Sequence, residues 1–150
     1  MAEHNDLGKF GEELAVDFLE KNGYEILETN WVFDKAEIDI IAQKNGILAV
    51  VEVKTRSSIE FGLPQDFVKP KKIQLLVKAI NEYVTQNDLD VEVRFDIVAI
   101  HKENTEFVIE HFCLTYEGFS IIFIKPHRNQ GQRQIKIRRI FLFYIFRMLI

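Results

Sequence analysis

The sequence predicts an α/β domain whose elements run helix, three strands, helix, two strands. Two segments, near residues 7–19 and 73–84, repeat apolar residues at helical spacing, and the runs between and after them are rich in β-branched residues. Asn45-Gly46 between two of those runs is a strong short-range hairpin signal.

Asp6 is a suitable N-cap for the first helix. Leu7, Phe10, Leu14, Phe18 and Leu19 form its apolar stripe until Asn22-Gly23 ends it. Gly8 and Gly11 sit one turn apart within it. Glycine is a poor helix former, so the pair implies close approach of another backbone. Glu12 follows, and two roles fit it equally: reaching an adjacent metal site, or a surface carboxylate favoured near a helix N-terminus.

Tyr24 to Phe33 reads as the first strand, and Glu37–Ala42 and Ile47–Lys54 as the next two, joined by Lys44-Asn45-Gly46. Alternate side chains of a strand share a face. Glu37 and Asp39 therefore share one face of their strand, and Glu52 and Lys54 share one face of theirs. Ile38, Ile40, Val51 and Val53 point the other way, into a core. Pairing across the hairpin brings Asp39 near Glu52 and Lys54.

Arg56 to Pro64 reads as a loop, with Phe61-Gly62-Leu63-Pro64 a turn bordering a cleft. The second helix runs from Pro70 to Gln86 on a stripe of Ile73, Leu76, Val77, Ile80, Tyr83 and Val84. Lys69, Lys71 and Lys72 cluster at its start, where the helix dipole prefers acids; an anion site and a solvated charged turn both fit. Val91–Ile100 and Thr105–Leu114 are the last two strands, separated by His101-Lys102-Glu103-Asn104. Arg94 and Asp96 share a face and read as a structural ion pair.

The composition is that of a soluble globular protein, and 150 residues suffice for one domain with a real core. The single cysteine, Cys113, excludes an internal disulfide framework and suits a reducing cytoplasm. Following Phe112 in an apolar run, it reads as a buried small hydrophobe. The first six residues lack the basic and apolar regions of a secretory signal, so a cytoplasmic location is expected. His4, His101, His111 and His127 form no close pair at metal-ligand spacing, and zinc is not expected.

The net charge of −4 hides an asymmetry: all 23 acids precede residue 120, whereas residues 120–150 carry seven of the 19 lysines and arginines and no acid. A body this acidic is no general nucleic-acid binder. A nucleic-acid site on it must be local, built from Lys54, Arg56, Lys69, Lys71 and Lys72, with metal ions offsetting the carboxylates.

The acids and lysine of the central hairpin suit metal-dependent cleavage of a phosphodiester. Mg²⁺ or Mn²⁺ prefers oxygen ligands and usually takes only one or two protein carboxylates. Asp39 and Glu52 fit those two, and the Val53 carbonyl is placed to supply a third oxygen. A bound ion lowers the pKa of its water toward neutrality. Lys54 would orient or deprotonate that water and stabilise charge on the phosphate. The competing reading is a structural Glu52–Lys54 salt bridge, since either residue would be costly alone in a buried strand.

Gly8-x-x-Gly11-Glu12, Glu37-Ile38-Asp39-Ile40-Ile41-Ala42, Val51-Glu52-Val53-Lys54-Thr55-Arg56, Phe61-Gly62, Lys72 and Arg94-Phe95-Asp96 together resemble the YraN-type family of small bacterial predicted endonucleases. The resemblance runs from about residue 6 to residue 112. It implies a restriction-endonuclease-like core similar to archaeal Holliday-junction resolvases, a central mixed sheet flanked by helices, with Glu12, Asp39, Glu52 and Lys54 at the metal site. Ala36 departs from the pattern, which has glycine before Glu-Ile-Asp, and that puts the turn presenting the acids in question.

Residues 1–119 are thus expected to form the nuclease domain, and 120–150 an atypical, poorly ordered tail. Its Arg138–Arg147 segment is basic at both ends, with seven apolar residues between, too few to span a bilayer, which takes roughly twenty. A membrane surface, a partner and nucleic acid all suit such a segment; the abrupt change in composition favours an unfolded extension. The expected activity is endonucleolytic hydrolysis of DNA, including branched DNA. The alternative is a catalytically silent nucleic-acid-binding or protein-interaction module. Symmetric cutting of two strands would favour a homodimer.

Overall fold

The computed structural model describes residues 2–56, 70–103, 105–113, 124–129 and 132–137. Helix α1 spans Ala2–Lys21 and is followed by strands β1 (Glu25–Phe33), β2 (Ala36–Lys44) and β3 (Ile47–Arg56). Helix α2 (Pro70–Gln86) leads to β4 (Glu92–Glu103) and β5 (Glu106–Cys113). This is the predicted order. Two further strands, β6 (Ile124–Asn129) and β7 (Gln132–Ile137), form a hairpin within the basic C-terminal region.

Helix α1 starts four residues before the predicted cap, so Asp6 lies inside it. Ala2 and Glu3 are good helix formers and nothing before Asp6 breaks the helix. Its end is as read: Gly23 takes φ +80°, and the amides of Gly23 and Tyr24 bond back to the carbonyls of Glu20 and Leu19 at 2.9 and 3.0 Å, a Schellman cap. The β2–β3 hairpin also forms as predicted. Asn45 and Gly46 both have positive φ, 52° and 76°, and Lys44 pairs with Ile47 across them. Asp34 (φ 55°) makes the β1–β2 turn, so Phe33 pairs with Ala36, whose methyl is buried. Alanine in place of the family's glycine leaves this turn in register.

The sheet order is β1-β2-β3-β4-β6-β7, with β5 also on β4. β3 and β4 pair in parallel, Ile47↔Glu92 through Arg56↔His101, and every other pairing is antiparallel. Each face of the sheet buries a core. On one, Leu48, Val50, Val93 and Phe95 pack with Leu76, Ile80 and Val84 of α2; on the other, Ala49, Val51, Val53, Val98 and Ile100 pack with Ala15 and Leu19 of α1.

Strand β2 does not keep one alternation throughout. Ile40 shares a core with Val51 and Val53 as predicted, the one against α1, but Ile38 packs with the α2 core. The break falls at Asp39, where ladder pairing with β3 stops: the last pair is Ile40↔Val51. β2 continues along β1 while it parts from β3, so it follows the curvature of its outer neighbour.

Of the two helical glycines, only Gly11 answers to a close approach, and it is the Thr55 side chain that comes near, not a backbone as expected. A Cβ there would lie 3.0 Å from Thr55 Cβ and closer still to Thr55 Oγ1, whereas one on Gly8 would meet nothing within 4 Å. Gly11→Ala is therefore expected to destabilise the fold by about 1–3 kcal/mol through overpacking. Gly8→Ala is expected to stabilise it by about 0.5–1 kcal/mol through helix propensity. Urea unfolding of both variants checks the pair; equal effects would remove the packing argument. The predicted turn Phe61–Pro64, Lys69 and the Arg138–Arg147 segment lie outside the described residues.

Candidate active site

The parting of β2 from β3 leaves backbone groups of β3 without a strand partner on that side. The Asp39 carboxylate fills one such position, accepting the Val53 amide at 2.7 Å through Oδ2. One residue earlier on β3, Glu52 is buried on the α2 face, 4% exposed, although it is charged. Its Oε1 accepts from Lys54, two residues on along β3, and from Lys72 in the first turn of α2. Its Oε2 is buried with no hydrogen-bond partner among the described residues.

The electrostatics follow from this crowding. Burial and the neighbouring Glu52 charge push the Asp39 carboxyl up to about 6, against opposing help from the Val53 amide and the two lysines. Two acids that repel one another, an uncommitted buried carboxylate oxygen and an adjacent backbone carbonyl make a donor set suited to a hard divalent cation. Asp39, Glu52 and the Val53 carbonyl would hold it, and the residues present fit such an ion.

Glu12 lies on the other side of Val53. It borders a cleft of about 230 Å³ with Leu7, Gly8, Val53, Lys54, Thr55 and Arg56. It therefore shares Val53 and Lys54 with the carboxylate site, while Glu52 is drawn toward α2 by Lys72. Arg56 is exposed at the end of β3 and Lys71 is exposed on α2. Lys72, assigned from sequence to nucleic acid, is committed to Glu52, a contact that strand periodicity alone cannot show because it depends on where α2 docks.

The predicted Arg94–Asp96 pair forms, and it belongs to a larger cluster that sequence reasoning did not find. Arg94 grips both Asp96 oxygens at 2.7 Å and donates to the Tyr24 hydroxyl at 2.8 Å. His111 Nε2 lies 3.0 Å from Asp96 Oδ2. Burial alone would raise the Asp96 carboxyl, but the His111 and Arg94 hydrogen bonds outweigh it and hold the group below its ordinary range. Cys113 stands beside them and is exposed, not buried as predicted. It ends β5, past the shelter of the core, and its register partner across the ladder is Asp96 itself.

Fold and site together define an α/β protein with a restriction-endonuclease-like core: a five-stranded mixed sheet, extended by the β6–β7 hairpin, with a carboxylate–lysine cluster where two central strands part. The chain belongs to the uncharacterised protein family UPF0102, whose model matches residues 11–100. It is 77% identical over 112 residues to a UPF0102 protein of Flavobacterium psychrophilum, covering 75% of this chain and 94% of that one. A UPF0102 protein of Flavobacterium johnsoniae is 65% identical over 123 residues, 79% of this chain and all of the relative. One from Bacteroides fragilis is 50% identical over 111 residues, 74% of this chain and 92% of the relative. None of these descriptions names an activity. No helix among the described residues is long and apolar enough to cross a membrane.

Proposed function

We propose that this chain is a Mg²⁺- or Mn²⁺-dependent endonuclease that hydrolyses phosphodiester bonds in DNA, including branched DNA such as four-way junctions. The observation that carries this reading is the placement of Asp39 in the fork between β2 and β3, bonded to the Val53 amide beside a buried Glu52 oxygen that no described residue satisfies. A bound divalent ion would neutralise phosphate charge and supply an activated water. Asp39 and Glu52 would hold that ion, with Glu12 bordering the neighbouring cleft. Lys54 and Lys72 hold Glu52 in place and present positive charge toward a scissile phosphate. Arg56 at the end of β3 and Lys71 on α2 are exposed cations that would contact flanking phosphates.

The two lysines on Glu52 Oε1 also support a second reading, a metal-independent nucleic-acid-binding module, because they already offset that carboxylate's charge without an ion. Cleavage separates the two. Labelled duplex, single-stranded, flap and four-way-junction DNAs are incubated with Mg²⁺ or Mn²⁺ and the wild-type chain, Glu52→Ala or Lys54→Ala. The expected result is metal-dependent cleavage by the wild type, reduced at least 100-fold in each variant, a loss on the order expected for removal of a transition-state group. No cleavage by the wild type, or equal cleavage by the variants, overturns the nuclease reading and leaves the binding module.

A further inference from the structure

The Asp96, His111 and Cys113 side chains lie apart from the carboxylate–lysine site, on the α1 face of the sheet. Asp96 shares that face with Val98 and Ile100, which pack against α1, whereas Glu52 faces α2. Antiparallel pairing sets Asp96 opposite Cys113 and Val98 opposite His111, so two adjacent strands converge three different donors on one point. Asp96 Oδ2 is 3.0 Å from His111 Nε2 and 3.8 Å from Cys113 Sγ, and the two latter atoms are 3.7 Å apart.

These separations match tetrahedral zinc coordination. Bond lengths of about 2.0 Å to nitrogen or oxygen and about 2.3 Å to sulfur place ligand atoms roughly 3.3–3.5 Å from one another. Each observed separation lies within a few tenths of an ångström of that. The donor set is selective too: imidazole and thiolate favour zinc-class ions over Mg²⁺, which seeks oxygen.

We propose that Asp96, His111 and Cys113 form a site for a zinc-class divalent cation, distinct from the carboxylate–lysine site and independent of the nuclease reading. The Arg94 guanidinium does not close it. Its fork occupies Oδ1 and one side of Oδ2, and this fixes the carboxylate plane, as partners of metal ligands commonly do. The His111 ring is held between Phe18 and Tyr24, with centroids at 6.1 and 5.7 Å and edge-to-face geometry, so Nε2 stays aimed at Asp96. On binding, Cys113 gives its thiol proton to solvent and His111 keeps one ring proton, on Nδ1. Thiolate and carboxylate together offset the ion's two charges. Three protein ligands leave the fourth position to water or an exogenous ligand, and Cys113 is exposed enough to admit one. The bound ion would fasten the last residue of β5 to the middle of β4.

Co²⁺ is the probe, because a cobalt–thiolate bond gives a near-ultraviolet charge-transfer band. The full chain, reduced and stripped with chelator, is titrated with Co²⁺ and then with Zn²⁺. The wild type is expected to develop the band with saturation at one equivalent, to lose it to Zn²⁺, and to gain thermal stability with Zn²⁺. Cys113→Ser should lose the band and the thermal shift, His111→Gln should bind at least about tenfold more weakly, and Asp39→Asn, whatever its own stability, should keep the band with wild-type Co²⁺ affinity. Serine is nearly isosteric and the position is exposed, so Cys113→Ser keeps the test decisive even if His111→Gln fails to fold. No band in the wild type, a band of unchanged affinity in His111→Gln, or a band lost in Asp39→Asn overturns the proposal.

Discussion

Asp39→Asn is expected to be more stable than the wild-type chain at pH 8 in the presence of chelator, by about 1–3 kcal/mol, and to lose any stabilisation by Mg²⁺ or Mn²⁺. The acid's pKa rises from an ordinary 3.8 to about 6, chiefly through burial and then through the Glu52 charge. Each unit corresponds to about 1.4 kcal/mol, reduced here because the group is only partly buried. Because the folded value is raised, the folded state binds a proton more tightly than the unfolded chain does. Stability attributable to this group is therefore greatest below about pH 4, declines between about pH 4 and 6, and stays low above that. Asparagine keeps an oxygen for the Val53 amide and removes the charge, so its advantage should be full at pH 8 and vanish near pH 4. Denaturant unfolding at the two pH values measures this. A variant less stable than wild type at pH 8 would show that the Asp39 charge is not strained. Such a cost is what the proposed function would require of this site, since functional sites commonly trade stability for activity.

Much of this site is legible in the sequence, because its geometry depends on local rules. A two-residue Asn-Gly turn fixes the register of β2 on β3, and register with period two then sets Asp39, Glu52 and Lys54 at one end of the hairpin. Two things were not legible. The face switch at Asp39 arises because β2 follows β1 where it leaves β3, and periodicity presumes an unbroken ladder. The Asp96–His111–Cys113 cluster was hidden by a turn read two residues early, which moves the partner of Asp96 by four. The polar run His101-Lys102-Glu103-Asn104 reads as a loop, and pairing Ile100 with Thr105 would set Asp96 opposite Ile109. In the structure β4 runs on to Glu103, which pairs with Glu106, and Asp96 meets Cys113 instead. His101 is buried in that strand. The ligand separations of 15 and 17 residues are invisible to a search for close histidine or cysteine spacing, and only a correct hairpin register exposes them.

Arg94→Ala should lose about 3–5 kcal/mol in chelator at pH 7, a large share of the 5–15 kcal/mol typical of a domain. Asp96 is fully buried and Arg94 only 11% exposed at its side chain, so solvent cannot replace the guanidinium. Arg94→Lys keeps the charge but not the fork or the bond to Tyr24, and should lose roughly 1–2 kcal/mol. The folded Asp96 carboxyl lies below its ordinary value, so the stability it contributes is present above about pH 4 and is lost as pH falls further. The deficit of Arg94→Ala should accordingly shrink in acid, where a protonated Asp96 no longer needs its partner. Pairing the change with a neutral, apolar partner tests the cause. Arg94→Met with Asp96→Leu should be more stable than Arg94→Met alone, because what destabilises the single variant is a stranded buried charge and not a missing contact. If the double variant is instead the less stable of the two, packing around Arg94 outweighs electrostatics, and the cluster is held by shape.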